Sequence, residues 1–140
     1  MKKTLSLLAL LTTLFVANAT AQSFKVIVNE ANTETTVSKS DLSAIFLKTK
    51  TKWADGSSIT PVDLTARAAV REAFSKEVHG RGVGAIRSHW QQAAFSGAGT
   101  APIERSSDAD VITFVKSNPG AVGYISADTD ATGVKVLQVN

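Results

Sequence analysis

The chain has 140 residues, with 15 Lys and Arg against 12 Asp and Glu, and it has no cysteine. The missing cysteine excludes disulfides, thiolate catalysis, a cysteine-based metal site and the lipobox that would anchor the chain to a lipid. The length suits one domain around one core.

Lys2 and Lys3 make a positive start. Residues 5–16 are apolar apart from Ser6, Thr12 and Thr13, and small residues follow from Ala17 to Ala21. This is the pattern of a secretory signal peptide over residues 1–21. The apolar stretch falls short of the about 20 residues that span a bilayer. Cleavage after Ala21 leaves Gln22 first, with the Ala19-Thr20 bond as the alternative. The mature domain is then residues 22–140. Losing Lys2 and Lys3 leaves 13 basic against 12 acidic side chains, a net charge of +1. So neutral a surface exerts little pull on nucleic acid or anionic lipid, and neither nucleic-acid binding nor membrane insertion is expected. The expected address is periplasmic or secreted, and soluble.

In the mature chain, residues 24–28 form a short β-rich run, predicted as a buried strand. Residues 29–38 are polar and turn-like. Ser40 is the predicted cap of a helix over residues 41–47, with Leu42, Ile45 and Phe46 on one face. Residues 48–58 form a basic loop that turns at Asp55-Gly56. Residues 59–64 are the second strand, which Pro61 places at an edge or an end. Ala66, Ala69, Val70, Ala73, Phe74 and Val78 follow helical spacing over residues 66–78.

A third helix is predicted over residues 83–95, with Val83, Ile86, Trp90, Ala93 and Ala94 as its buried stripe. Ser107 caps a fourth, with Asp108 and Asp110 in its first turn and Val111, Ile112, Phe114 and Val115 inside. Residues 121–125 and 134–139 are the last strands. Strands interleaved with helices indicate an α/β sandwich on a mixed sheet of four to five strands, with helices on both faces.

Candidate chemistry is sparse. His79 and His89 have no neighbouring ligand residues, so both are read as surface histidines and no metal is expected. There is no Gly-x-Ser-x-Gly elbow. Asp108 and Asp110 are explained by the helix dipole. No constellation supports an enzyme, and no cofactor is expected.

The end of the second strand is different. A helix starts just beyond Leu64, its free N–H groups favour an anion, and Arg67 and Arg71 lie one turn apart. The other reading is that Thr65 caps the helix and both arginines are solvated. Gly97-Ala98-Gly99-Thr100 reads either as an anion-binding nest or as a helix C-cap. Lys48, Lys50, Lys52 and Trp53 read as a solvated surface with the indole turned inward.

Residues 41–47, then Lys52-Trp53 with Asp55-Gly56, then residues 59–62 leading into a helix, together resemble the second lobe of periplasmic phosphate-binding proteins of ABC transporters. Asn118-Pro119-Gly120-Ala121-Val122-Gly123-Tyr124-Ile125 is the most specific piece, and the resemblance runs over residues 24–140. It implies one lobe of a type II periplasmic binding protein fold, and a non-catalytic solute-binding module for phosphate or a similar small anion. The ligand-binding residues expected from the strand end and helix start are Thr65, Ala66, Arg67, Ala68 and Arg71. Full members close two lobes on their ligand, and this chain resembles one. The family's Ser-Gly-Thr phosphate loop falls here on Ala68, Ala69 and Val70, so the hydroxyl donors are gone and binding is expected to be weak. Those apolar residues also support an alternative: a module for a protein partner or for self-association as a homodimer, its ligand site lost.

Overall fold

The computed structural model describes residues 23–140. The signal-peptide expectation for residues 1–21, with its cleavage points, lies outside the described residues.

Six strands form one mixed sheet. In chain order they are β1 (Phe24–Val28), β2 (Thr36–Val37), β3 (Thr60–Leu64), β4 (Ile103–Arg105), β5 (Ala121–Ser126) and β6 (Lys135–Val139). Their order across the sheet is β2-β6-β1-β5-β3-β4. β1 lies antiparallel to both β5 and β6, so Val26 faces Tyr124 on one side and Leu137 on the other. β3 is parallel to both β5 and β4. The four longest strands are those that residue pattern predicts, and the fold class is as expected. β2 and β4 are additional. Pro61 lies in an inner strand, but β4 pairs with β3 only from Val62 onward. The N–H that Pro61 lacks therefore falls where no partner strand has begun.

Four helices cover the two faces: α1 (Lys39–Phe46), α2 (Ala69–Phe74), α3 (Val83–Ser96) and α4 (Asp108–Ser117). Ser38, not Ser40, caps α1, its side chain accepting from the Asp41 N–H at 3.0 Å. Ser107 caps α4 as its sequence suggests, accepting from Asp110 N–H at 3.1 Å. α2 starts later than its periodicity indicates, and Thr65 does not cap it. Its N-cap is Ala68, with no side-chain hydrogen bond. α2 then widens into a π-helical turn, Ser75–His79, ended by Gly80 in the left-handed region.

α4 lies on one face of the sheet and packs closely. A Cβ on Gly123 would stand 2.7 Å from Val111 Cγ1 and 2.8 Å from Val62 Cγ1. Asn29 anchors the same helix, donating to the carbonyls of Val115 and Lys116 at 2.9 and 3.0 Å. Asp108 does more than favour the helix dipole. Its Oδ2 accepts from Ser126 N–H at 3.1 Å and from Thr129 Oγ1 at 2.6 Å, tying α4 to the end of β5.

α1 and α2 cover the opposite face with an aromatic cluster. Phe74 stacks on Tyr124 at 3.8 Å between ring centroids, and Phe24 and Phe46 meet Phe74 edge-on at 5.2 and 4.9 Å. Trp53 turns inward as expected and donates from Nε1 to Gly120 O at 3.1 Å.

α3 departs from its predicted stripe. Val83 and Ile86 are buried, but Trp90 and Ala93 are half-buried and Ala94 is exposed. The helix leaves the core after its first turns, so its later apolar residues have no core to meet. Gly97 ends it in the left-handed region, and Ala98 N–H donates to Ala93 O at 2.8 Å. The Gly97-to-Thr100 run is therefore a helix C-cap.

Candidate functional site

β3 carries one charged residue among apolar ones. Asp63 is buried between Val62 and Leu64, and a buried carboxyl needs partners. Tyr124 supplies one by donating its hydroxyl to Asp63 Oδ1. Arg71 supplies the other, its Nε standing 3.4 Å from the same oxygen. Arg71 is itself only 4% exposed. Its Nη1 donates to Leu64 O at 2.6 Å and to Glu104 Oε1 at 2.8 Å. The guanidinium group thus joins α2 to β3 and β4, and Asp63 extends the network to Tyr124 of β5.

Burial pushes the Asp63 carboxyl above its ordinary range, against the pull of Arg71 and the Tyr124 hydroxyl. Burial also pulls Arg71 down, but Asp63 and Glu104 outweigh it, and the guanidinium stays charged. Burial and then the charge of Asp63 push the Tyr124 phenol up, which keeps it a donor.

Two cavities with shared lining residues adjoin this network, the larger at the carboxyl ends of the parallel pair β3 and β4 and the smaller between α3 and β4. One, of about 610 Å³, is lined by Thr65, Ala66, Arg67, Arg87, Glu104 and Ser106. The other, of about 350 Å³, takes in Arg71, Arg87, Trp90, Ala94, Ala101 and Glu104. Arg87 and Glu104 border both. Arg67 and Arg87 are exposed, with no ion-pair partner among the described residues. Ligands of open α/β sheets sit outside the carboxyl ends of strands.

The structure brings Thr65, Ala66 and Arg67 to the larger cavity. Thr65 N–H donates to Arg105 O at 3.0 Å, which extends the β3–β4 ladder by one residue. Arg71 lies beneath, turned inward rather than beside Arg67. Ala68 is half-buried and, like Val70, packs against the core. Residue pattern missed Arg87 and Glu104, which α3 and β4 deliver from far along the chain. An Asp in an apolar strand was the one signal available, since it implies a buried cationic partner.

His79 is not a surface residue. It is half-buried at the end of the π-helical turn, with Nδ1 2.7 Å from Ser43 Oγ and its ring edge-on to Phe74 at 5.8 Å. Burial, then the nearby positive charges of Arg81 and Arg71, lower it to about 4. His89, also half-buried, meets Trp90 edge-on at 4.9 Å. In the basic loop, Lys50 pairs with Asp41 at 3.2 Å and Lys52 donates to Ser58 Oγ at 2.9 Å. Among the described residues no group of three acidic or histidine side chains could hold a metal ion. No described helix is long and apolar enough to cross a membrane.

The family model described as PBP superfamily domain matches residues 11–138. Comparison with curated proteins finds no match. Among solved structures, the chain is similar to an ABC-type phosphate transport receptor from Vibrio cholerae. The TM-score is 0.67 at 22% identity, covering 84% of this chain and 46% of that one. It is also similar to a Clostridium perfringens structure described as a phosphate ABC transporter substrate-binding protein with bound phosphate. There the TM-score is 0.66 at 18% identity, covering 84% and 44%. PstS from Borrelia burgdorferi aligns with a TM-score of 0.59 at 14% identity, covering 84% and 47%. The chain spans about half the length of the solved structures it matches.

Proposed function

The chain belongs to the PBP superfamily, and from that premise we propose that it is an exported, non-catalytic solute-binding module. Its ligand is a small anion held at the carboxyl ends of β3 and β4. The observation that carries this reading is the pair of exposed guanidinium groups, Arg67 and Arg87, lining the larger cavity with no ion-pair partner among the described residues. Arg presents paired N–H donors that match a carboxylate or phosphate. Thr65 and Ser106 add hydroxyls to the same cavity. Arg71 shapes the floor and is held by Asp63 and Glu104, so it is a positioning residue there.

The Vibrio cholerae and Clostridium perfringens neighbours are described as phosphate transport proteins, which supports an oxyanion of that kind. Affinity is weak because Ala68, Ala69 and Val70 offer no hydroxyl donors. Each charged hydrogen bond lost costs about 1.5–3 kcal/mol. The signal sequence over residues 1–21 supports a periplasmic address, where such a module meets its solute.

Calorimetry of the exported protein with phosphate, sulfate and acetate tests the reading. Saturable heat at sub-millimolar to millimolar ligand is expected, and it weakens sharply in Arg67→Ala and in Arg87→Ala. Absence of heat with all three anions, up to ten times that range, refutes it.

A further inference from the structure

The smaller cavity is built differently from its neighbour. Trp90, Ala94 and Ala101 give it an apolar wall beside the polar Gln91 and Thr100, and Arg87 stands at the border with the larger cavity. Its volume of about 350 Å³ falls within the about 300–1,000 Å³ of small organic ligand sites, which are mostly apolar with a few placed polar groups. The charges point the same way. Arg71 at its base is already paired with Asp63 and Glu104. Arg87 is the cation in this wall with no ion-pair partner among the described residues. The Glu104 carboxylate beside it disfavours a second negative charge. Trp90, half-buried and braced by the edge of His89, offers a flat face.

Resting on the anion reading above, we propose that this site takes an organic monocarboxylate with a flat apolar body, rather than a bare inorganic oxyanion. The carboxylate meets Arg87, and the body lies against Trp90, Ala94 and Ala101. Glu104 sets the preference for a single charge, and Trp90 sets the preference for an aromatic body.

The test compares 3-phenylpropionate, acetate and inorganic phosphate by calorimetry and by tryptophan fluorescence. The other tryptophan, Trp53, is buried with its Nε1 bound to Gly120 O, so an emission change that Trp90→Ala abolishes reports Trp90. 3-Phenylpropionate is expected to bind at least about tenfold more tightly than acetate or phosphate, with a shift in emission. Trp90→Ala should erase that advantage, bringing 3-phenylpropionate to the affinity of acetate in the same variant. Ala94→Glu alters an exposed position and should exclude 3-phenylpropionate without disturbing the fold. If 3-phenylpropionate binds no better than acetate while phosphate or acetate still binds, this proposal is overturned and the anion reading stands. If no anion binds, both fall together.

Discussion

The two faces of the sheet near β3 are built to opposite rules. Under α4 the packing is dry: Val62, Val111 and Val115 are fully buried, and Gly123 exists to let the helix approach. Under α2 the same strand buries an ion pair, and beyond its end Arg67 and Arg87 have no ion-pair partner among the described residues. A carboxylate and a guanidinium taken out of water are costly unless each meets a partner. Among the buried side-chain polar atoms of the described residues, none lacks one. The contrast teaches that the α4 face is held by close apolar packing, while the α2 face, besides its aromatic cluster, holds a charged floor in place beneath an open cationic mouth.

Breaking the charged floor should have the largest effect. Arg71→Met leaves Asp63 buried without its cation, and about 3–5 kcal/mol of stability should be lost in chemical denaturation. The double variant with Asp63→Asn should recover part of that. A simple sum of the two losses would show that the pair does not act as a unit.

Acid comes next. His79 sits at about 4 in the folded state against 6.5 for an ordinary histidine. Below pH 6.5 the unfolded chain therefore takes up a proton that the folded chain refuses. Stability is full above pH 6.5 and falls as pH drops toward 4. At about 1.4 kcal/mol per pKa unit the full shift is about 3.5 kcal/mol, and solvent screening of the half-buried ring brings the loss to the order of 2–3 kcal/mol. His79→Gln should flatten that part of the stability curve, and an unchanged slope would assign it to another group.

On the dry face, Gly123→Ala should cost about 1–3 kcal/mol, because the added methyl meets Val111 and Val62 in a filled space. Ser107→Ala at the start of α4 should cost about 1 kcal/mol through the lost cap. Thermal melts read both. Equal values for these two would mean that α4 can shift away from the sheet.

Much of this architecture is legible in residue order, for reasons that differ by element. β1, β3, β5 and β6 are short apolar runs bounded by turn residues, and α4 has both a cap and a period. β2 and β4 have two and three residues, too few to show a period. They are strands because β6 and β3 lend them partners. The stripe of α3 is misleading, since spacing reports a face but not whether a core lies opposite it.

The site divides in the same way. Thr65, Ala66 and Arg67 follow directly from a strand end and are found at the cavity. Arg71 reads as solvated or ligand-facing until Asp63 is given a partner. Arg87 and Glu104 come from α3 and β4, and only the fold brings them beside Arg67.

The most direct test of the central claim is a phosphate titration followed by amide chemical shifts. The strand-end site predicts that the shifts cluster at Thr65, Ala66, Arg67, Arg87, Glu104 and Ser106, and that Arg87→Ala suppresses them without altering the melting midpoint. Shifts confined instead to the far end of β3 and β5, around Trp53 and Gly120, or shifts indifferent to Arg87, would contradict it.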